Sequence, residues 1–485
     1  MERHNLLKLN KRRFLRPARD EVDRPIYTLV AILSTLVLLA IVYAIFRASP
    51  FGDRQIFLID QFHQYSPFMA ELRRKVLNGE SILYSWNGGL GYNMWSMIGY
   101  YLASPFNLFL LLFPAQHLSE AVLFLTVLKI SLTAGTMQIF LARGFRKAPL
   151  AAAGFGVAYG LSTFVMAYAW NIMWLDVLLF LPLAALGLIR LIRREGRLLY
   201  IFALALMIWS NFYVAGFACA FLALFYPALW LRFAPPNRRT RGRAILLAFA
   251  DFAFSSLLAG ALTAVLLIPT VLNLGLTSAS DDQPPQVISF FHDAALHLGR
   301  ALPFNKPAVM SGLPNIYVGL APLLLLPIYL GNKRIPKGAK VASLALLGFL
   351  FLSFNNNWLN FAWHAFHYPN SLNHRFAFLF SFLLLFVAFD ALAHTRRLRP
   401  GQLGTTAGIL MLLAFILQLN DSTEETAAIS HTTLIVMAIA LPLLVWAIAR
   451  YVRDQGPSRR LKPRALAWVA LPLALVMIGE AGANM

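Results

Sequence analysis

IYTLVAILSTLVLLAIVYAIF, at residues 26–46, is the stretch that decides the fold class. It holds 21 residues without a charge, which is enough for a helix to cross the roughly 30 Å hydrocarbon core of a bilayer. Eight Lys and Arg residues lie within the 25 residues before it, and a basic flank of this kind stays in the cytoplasm. We therefore predict a retained membrane anchor rather than a cleaved signal peptide.

Apolar runs continue through the whole 485-residue chain. Hydrophobic residues make up 59% of it and charged residues 13%, whereas soluble domains have about 45–50% and about 25%. This composition excludes the soluble, disordered, coiled-coil and disulfide-rich classes and predicts an all-α polytopic membrane protein. About thirteen spans are predicted, at residues 26–46, 118–142, 149–168, 172–192, 198–213, 214–232, 244–270, 315–331, 341–354, 375–393, 403–420, 432–452 and 465–481.

Basic residues are distributed unequally between the two sides of the predicted bundle. With the N-terminus in the cytoplasm, 33 of the 42 Lys and Arg lie in cytoplasmic segments, which is the positive-inside pattern. The net charge of +21 is therefore a topology signal with membrane lipid as partner, and it does not indicate nucleic acid. Residues 99–113 are also apolar, but a crossing there would move the basic residues at 143–147 outside. We predict that 99–113 is re-entrant or interfacial.

The predicted organisation is a cytoplasmic basic segment, residues 1–25, followed by one transmembrane domain, residues 26–485. The chain stops soon after the last predicted span, so no C-terminal extracellular domain is expected in it. Loops carry functional sites on rigid scaffolds, and the polar residues outside the spans gather on the external side, which places function there. The long external loops are 47–98, 271–314 and 355–374.

The first external loop combines a polar cluster, DQFHQY at 60–65, with an amphipathic segment at 66–77. Its apolar residues are Phe68, Leu72 and Val76, and the basic residues on the other face are Arg73, Arg74 and Lys75. This spacing predicts a helix lying in the headgroup plane. Residues 84–101 follow with Trp, Tyr and Gly. The loop suits a site that takes one substrate from the lipid and one from water.

Seven stretches resemble the bacterial YfhO membrane-protein family. They are DQFHQYSPFMAEL (60–72), LYSWNGGLGYNMW (83–95), YYLASPFNLFLLLFP (100–114), NIMWLDVLLFLPL (171–183), SNFYVAGF (210–217), LPNIYVGLAPLLLLPIYL (313–330) and HRFAFLFSF (374–382). The resemblance implies a GT-C-type fold, that of glycosyltransferases using polyprenyl-phosphate sugars on the outer face. It also implies a link to glycosylation of teichoic-acid-type polymers. Relatives usually continue into an extracellular domain, which leaves any role of that domain, such as acceptor docking, in doubt here.

Such an enzyme needs a base for the acceptor hydroxyl and a carboxylate suits that role. Asp60 is the candidate, because the fold class keeps its catalytic acid in the first loop. The alternative is that Asp60 caps the amphipathic helix. Asp53 is the fallback, otherwise a residue of a solvated turn. Asp176 lies inside a predicted span, where a carboxylate is costly unless paired or wet; it is either a second site carboxylate or the structural partner of Lys129.

The leaving lipid phosphate needs positive charge or hydrogen-bond donors. Arg375, at the outer mouth of a predicted span, is the main phosphate candidate because a guanidinium matches phosphate oxygens; the alternative is a headgroup anchor. The other candidate substrate-binding residues are His63, Gln64, Tyr65, Trp86, Asn93, Lys129, Tyr317 and His374. Each also has an ordinary reading as an interfacial, turn or packing residue. No spacing forms a metal motif, and a divalent cation is left open.

The sequence therefore favours an outer-face glycosyltransferase in the bacterial cell membrane. Its predicted partners are a polyprenyl-phosphate sugar donor and a cell-envelope polymer acceptor. A lipid or polysaccharide flippase is the first alternative, but it would show paired broken helices and cavities reachable from both faces. A non-catalytic envelope-assembly scaffold is the second, and it would not need a carboxylate facing an arginine at the outer surface.

Overall fold

The chain is almost entirely helical in a computed structural model, which describes residues 22–276, 283–395, 398, 400–419, 430–454 and 470–484. The helices are α1 (Pro25–Ile45), α2 (Ser66–Leu77), α3 (Met94–Met97), α4 (Leu118–Phe145), α5 (Pro149–Gly160), α6 (Thr163–Tyr168), α7 (Leu175–Arg193), α8 (Leu198–Ser210), α9 (Phe212–Phe233), α10 (Gly242–Leu262), α11 (Ala264–Leu274), α12 (Ala294–Gly299), α13 (Leu320–Gly331), α14 (Lys337–Asn355), α15 (Asn357–Trp363), α16 (Ala377–His394), α17 (Pro400–Leu419), α18 (His431–Asp454) and α19 (Leu471–Ala483). Two π-helices (Gln61–Tyr65, Ile98–Leu102), two 3₁₀-helices (Pro105–Leu112, Ala115–His117) and an antiparallel hairpin of β1 (Tyr84–Ser85) and β2 (Tyr92–Asn93) complete the described part.

The helices confirm a polytopic membrane protein. Ten of them in the described part are long and apolar enough to cross a membrane, and each coincides with a predicted span. The three other predicted spans coincide wholly or partly with the shorter helices α8, α13 and α19, so the total above ten stays a prediction. Residues 1–21 and 455–469, which carry many of the basic residues predicted to be cytoplasmic, lie outside the described part.

The apolar segment at 99–113 is sharply bent. The helical stretches Met94–Leu102 and Pro105–Leu112 meet at 98°. Pro105 has no N–H to continue the first stretch, and the Ser104 hydroxyl instead accepts a hydrogen bond from the Phe106 N–H at 3.3 Å. The bend is that of a broken span or a re-entrant loop. That the segment does not cross the membrane stays a prediction.

The centre of the bundle is formed by α5, α7 and α16. About nine-tenths of the span windows containing these helices is buried, whereas only 17% is buried in α1, α10 and α17. Small residues allow the central helices to approach closely, as in other membrane bundles. A Cβ at Gly156 in α5 would lie 2.4 Å from the Ala134 carbonyl oxygen of α4. The outer helices therefore present their apolar side chains to lipid.

The amphipathic helix α2 has the predicted bounds, but Lys75 of its predicted basic face is not exposed. Lys75 is buried (7% exposed) and Val76 is 43% exposed. The reason is the hairpin that follows the helix. Lys75 donates to the Ser81 carbonyl at 3.1 Å and lies 3.9 Å from Glu71, so this basic side chain is covered by loop backbone and paired with an acid.

Candidate functional site

The polar cluster of the first loop meets the chain just before α7. Tyr65 donates its hydroxyl proton to Asn171 Oδ1 at 2.8 Å. The Tyr65 hydroxyl oxygen also lies 3.5 Å from Asp60 Oδ2. Asp60 precedes the π-helix that carries Tyr65, a helix type common at functional sites. Ile59, just before it, has a φ of 48°, a conformation that costs a β-branched residue about 1–3 kcal/mol.

Four tyrosines form a continuous cluster beside Asp60, here called the tyrosine cluster: Tyr65, Tyr100, Tyr101 and Tyr213. Ring centroids are 5.5 Å apart for Tyr65 and Tyr101, 4.5 Å for Tyr100 and Tyr101, and 6.1 Å for Tyr100 and Tyr213. Asn211 fixes this arrangement, because its side chain donates to the Tyr100 carbonyl at 2.8 Å and caps α9. The first loop, the bent segment and α9 therefore meet here.

Arg375 lies at the other end of the tyrosine cluster from Asp60, beside Tyr213. Its guanidinium carbon is 5.5 Å from the Tyr213 ring centre and 5.8 Å from the Trp174 ring centre, in the range of cation–π contacts. Its Nη2 donates to the Ser371 carbonyl at 3.1 Å. This contact holds the side chain toward the protein rather than toward lipid headgroups.

Asp60 and Arg375 both influence the pKa of Tyr65. Burial raises the pKa of Tyr65 most, the neighbouring tyrosines and Asp60 raise it further, and Arg375 lowers it. Asp60 therefore lies at the Tyr65 end of the tyrosine cluster and Arg375 at its Tyr213 end. The roles of Asp60 as base and Arg375 as phosphate ligand stay predictions.

An apolar groove begins next to this cluster. Its volume is about 400 Å³. Its walls come from α1, α4 and the chain before α7, with Leu39, Val42, Ile130 and Met166 among the lining residues. Gln61 and Trp170 line it beside Asp60 and Asn171, and Arg54 is a cation in its lining. The groove is lined mainly by apolar side chains, and polar side chains line it where it meets the first loop.

Asp176 and Lys129 form a closed ion pair. Their Oδ2 and Nζ atoms are 2.7 Å apart, and neither side chain is exposed. Ser104 donates to Asp176 Oδ1 at 2.9 Å, and Lys129 also donates to the Ile172 carbonyl at 3.2 Å. The geometry thus matches the structural-pair alternative, and both charges are satisfied within the protein.

Tyr317 is fully engaged in packing. Its hydroxyl donates to Glu480 Oε1 at 2.6 Å, and the Leu320 N–H donates to the same oxygen at 2.6 Å. Glu480 belongs to α19, so this contact ties α19 to the start of α13. The hydroxyl predicted to line a cavity therefore holds two helices together.

His374, the residue before Arg375, is buried. Burial, followed by the neighbouring His297 and His364, lowers the pKa of His374 to about 3. Burial also lowers the pKa of His364 to about 4. His374 is therefore neutral at physiological pH and adds no positive charge to the site.

The remaining first-loop candidates are more exposed. His63 lies edge-on to Phe62, and Trp86 is 76% exposed. Gln64 lies close to the Tyr101 hydroxyl. Asn93 caps α3 by accepting from the Ser96 N–H at 3.1 Å. The structure thus brings Gln64 to the tyrosine cluster and leaves Trp86 on the surface of the hairpin.

Asp53 and Asp390 each pair with a nearby arginine. Asp53 is 76% exposed and pairs with Arg47 at 3.2 Å, which is the solvated-turn reading. Asp390 is buried and accepts two hydrogen bonds from Arg232 near the C-terminal end of α16. Within the described residues, no group of three or more His, Cys, Asp or Glu side chains could hold a metal ion.

Three residues of this region were not predicted as site residues: Asn171, Trp174 and Tyr213. They occur in NIMW and SNFY, two of the stretches quoted for the family resemblance. Their sequence context is apolar, so they resemble ordinary residues at the outer ends of spans. Only the contact of both segments with Arg375 and the first loop singles them out.

Comparison with known proteins gives one family and one solved structure. The family profile described as "Bacterial membrane protein YfhO" matches residues 31–485. No curated protein matches the chain. The crystal structure of ArnT from Cupriavidus metallidurans in the apo state is similar with a TM-score of 0.43 and 14% identity, over 93% of this chain and 76% of that chain.

Proposed function

The chain belongs to the YfhO family of bacterial membrane proteins, and from this premise we propose that it is an outer-face glycosyltransferase of GT-C type. It moves a sugar from a polyprenyl-phosphate donor to a hydroxyl group of a cell-envelope polymer such as a teichoic acid. The observation that carries the proposal is the placement of Asp60 and Arg375 at the two ends of the tyrosine cluster, beside Tyr65 and Tyr213.

Asp60 acts as the general base. The acceptor O–H proton passes to a carboxylate oxygen of Asp60, and the acceptor oxygen forms a bond to the anomeric carbon. The bond from that carbon to the phosphate oxygen breaks, and its electron pair stays on the lipid phosphate beside Arg375. Attack and departure on opposite faces invert the anomeric configuration.

The apolar groove supports a lipid-linked donor. A polyprenyl chain between α1 and α4 would leave the bilayer sideways and reach Gln61 with its headgroup end. Tyrosine and tryptophan faces beside that end suit sugar binding, because rings offer apolar area and a polar tip. A lipid carrier and a water-borne acceptor would then meet at Asp60.

Asp60→Asn tests this function directly. The variant should keep its thermal stability and lose at least about a hundredfold in transfer rate, since general-base catalysis contributes about 10²–10⁴. Radiolabelled sugar transfer from a polyprenyl-phosphate donor in nanodiscs measures it. Asp53→Asn is the matched control, because Asp53 is an exposed first-loop acid; it should transfer normally. Equal turnover of Asp60→Asn and wild type would remove Asp60 as the base.

A further inference from the structure

Three buried hydrogen-bond donors beside the tyrosine cluster make no hydrogen bond of ordinary geometry. They are Nδ2 of Asn171, Nε1 of Trp174 and Nε of Arg375, here called the donor triad. Asn171 and Trp174 are each 1% exposed. A buried donor without an acceptor is costly, and such groups in one place call for an explanation. An acceptor that binds among them would remove that cost.

Each donor of the triad lies beside a member of the tyrosine cluster. Tyr65 holds Asn171 by its Oδ1 at 2.8 Å, so the amide nitrogen faces away from Tyr65. The Trp174 N–H faces the Tyr100 hydroxyl but makes no hydrogen bond of ordinary geometry. The Arg375 guanidinium rests over the Trp174 ring at 5.8 Å. The triad therefore lies beside three neighbouring members of the tyrosine cluster, Tyr65, Tyr100 and Tyr213.

The start of α7 adds to the positive potential there. Asn171 and Trp174 occupy the turn immediately before this 19-residue helix, whose N-terminus carries a partial positive charge. The acid of its first turn, Asp176, is neutralised by Lys129 at 2.7 Å. It therefore does not cancel the helix dipole. Anions bind readily at helix N-termini of this kind.

We infer that the donor triad is a binding site for a phosphate group, the one that the lipid carrier retains when its sugar departs. The donors themselves indicate a phosphate ligand. The assignment of that phosphate to the lipid carrier rests on the proposed function. Asn171 and Trp174 bind the phosphate oxygens together with Arg375. Tyr65 is a positioning residue, because it fixes the amide of Asn171 and contacts Asp60 as well.

Two variants that each remove one donor test the inference in the purified full chain in nanodiscs. Trp174→Phe removes the N–H and keeps a ring under Arg375. Asn171→Asp replaces the free donor with a charge that repels phosphate. Each should weaken binding of a long-chain polyprenyl monophosphate at least about tenfold, because a hydrogen bond to a charged group is worth about 1.5–3 kcal/mol. Titration calorimetry measures the affinities.

Trp363→Phe is the matched control. The Trp363 N–H is also buried without a partner, but its ring stacks on Phe376 at 5.1 Å and lies outside the donor triad. The same deletion there should leave polyprenyl monophosphate binding unchanged. Inorganic phosphate, titrated alone, distinguishes the sources: binding that depends on the donor triad indicates a free phosphate as a ligand, and binding of the lipid alone indicates the headgroup.

The outcomes separate this inference from the proposed function. If Trp174→Phe and Asn171→Asp bind polyprenyl monophosphate as tightly as the wild type, the inference is wrong, even when transfer is observed. If neither the lipid nor inorganic phosphate binds the wild type, it is also wrong. If both variants lose binding while the wild type transfers no sugar, the phosphate site stands and the glycosyltransferase proposal fails.

Discussion

At the residue scale, the pair of Lys129 and Asp176 is the most costly polar feature of the bundle. Removing two charges from water costs several kcal/mol per ion, which their mutual attraction offsets only with good geometry and further hydrogen bonds. Ser104 and the Ile172 carbonyl supply those bonds. Because Ser104 lies at the break of the bent segment, the pair ties α4, α7 and that segment together just beyond Tyr100 and Tyr101.

We predict that breaking this pair on one side is strongly destabilising. Lys129→Met or Asp176→Asn should each cost about 3–5 kcal/mol, because an unpaired buried charge or donor remains. The double variant Lys129→Met/Asp176→Asn should lose less than the sum of the two single variants, as measured by thermal unfolding in a double-mutant cycle. An Asp176→Asn variant with wild-type stability and no transfer would instead make Asp176 a site carboxylate.

At the element scale, one acid assembles the first loop. Glu71 of α2 is 8% exposed and accepts hydrogen bonds from Arg74 at 2.9 Å, Ser85 at 2.7 Å and Asn87 at 3.0 Å. It thereby fastens β1 and the hairpin to the helix. The hydrogen bond from Arg74, followed by those from Ser85 and Asn87, outweighs burial and lowers the pKa of Glu71 to about 2.

This network predicts a pH-dependent effect of Glu71→Gln. The folded-state pKa of Glu71 lies below the ordinary value of 4.5, so its stabilisation is complete above about pH 4.5 and is lost as the pH falls toward 2. Glu71→Gln should therefore cost about 1–3 kcal/mol at pH 7 and progressively less below pH 4.5. Hydrogen exchange of residues 84–93 measures the loss. A penalty independent of pH would contradict the ionised network.

Sequence periodicity predicts the bounds of α2 and the positions of the long apolar helices, but it does not predict which residues contact each other. The bounds of α2 follow from helical spacing alone, and long apolar runs locate the spans. The burial of Lys75 does not follow, because it depends on a hairpin folding back over the helix. The same limit applies to the site: Asp60 and Arg375 are recognisable as isolated charges, whereas Asn171 and Trp174 gain a role only where separate segments meet.

At the scale of the whole molecule, the charge distribution and the bent segment depend on each other. If 99–113 does not cross, the basic residues before α5 lie on the cytoplasmic side and the first loop lies outside, with Asp60 and Arg375 on one face. If it does cross, α4 runs in the same direction as α1 and the positive-inside pattern is broken at 143–147. Topology is thus the condition on which an outer-face site depends.

Cysteine labelling decides this, and the chain suits it because Cys219 is its single cysteine. In a Cys219→Ala background, Asn78→Cys in the first loop should react with an impermeant maleimide on intact cells. Arg143→Cys, at the inner end of α4, and Lys333→Cys, after α13, should react only after lysis, since all three positions are exposed in the fold. Labelling of Arg143→Cys on intact cells would make 94–112 a crossing span. Because that outcome would leave Asp60 and the basic end of α4 on the same side, it would also overturn the separation of a basic inner face from an outer catalytic one.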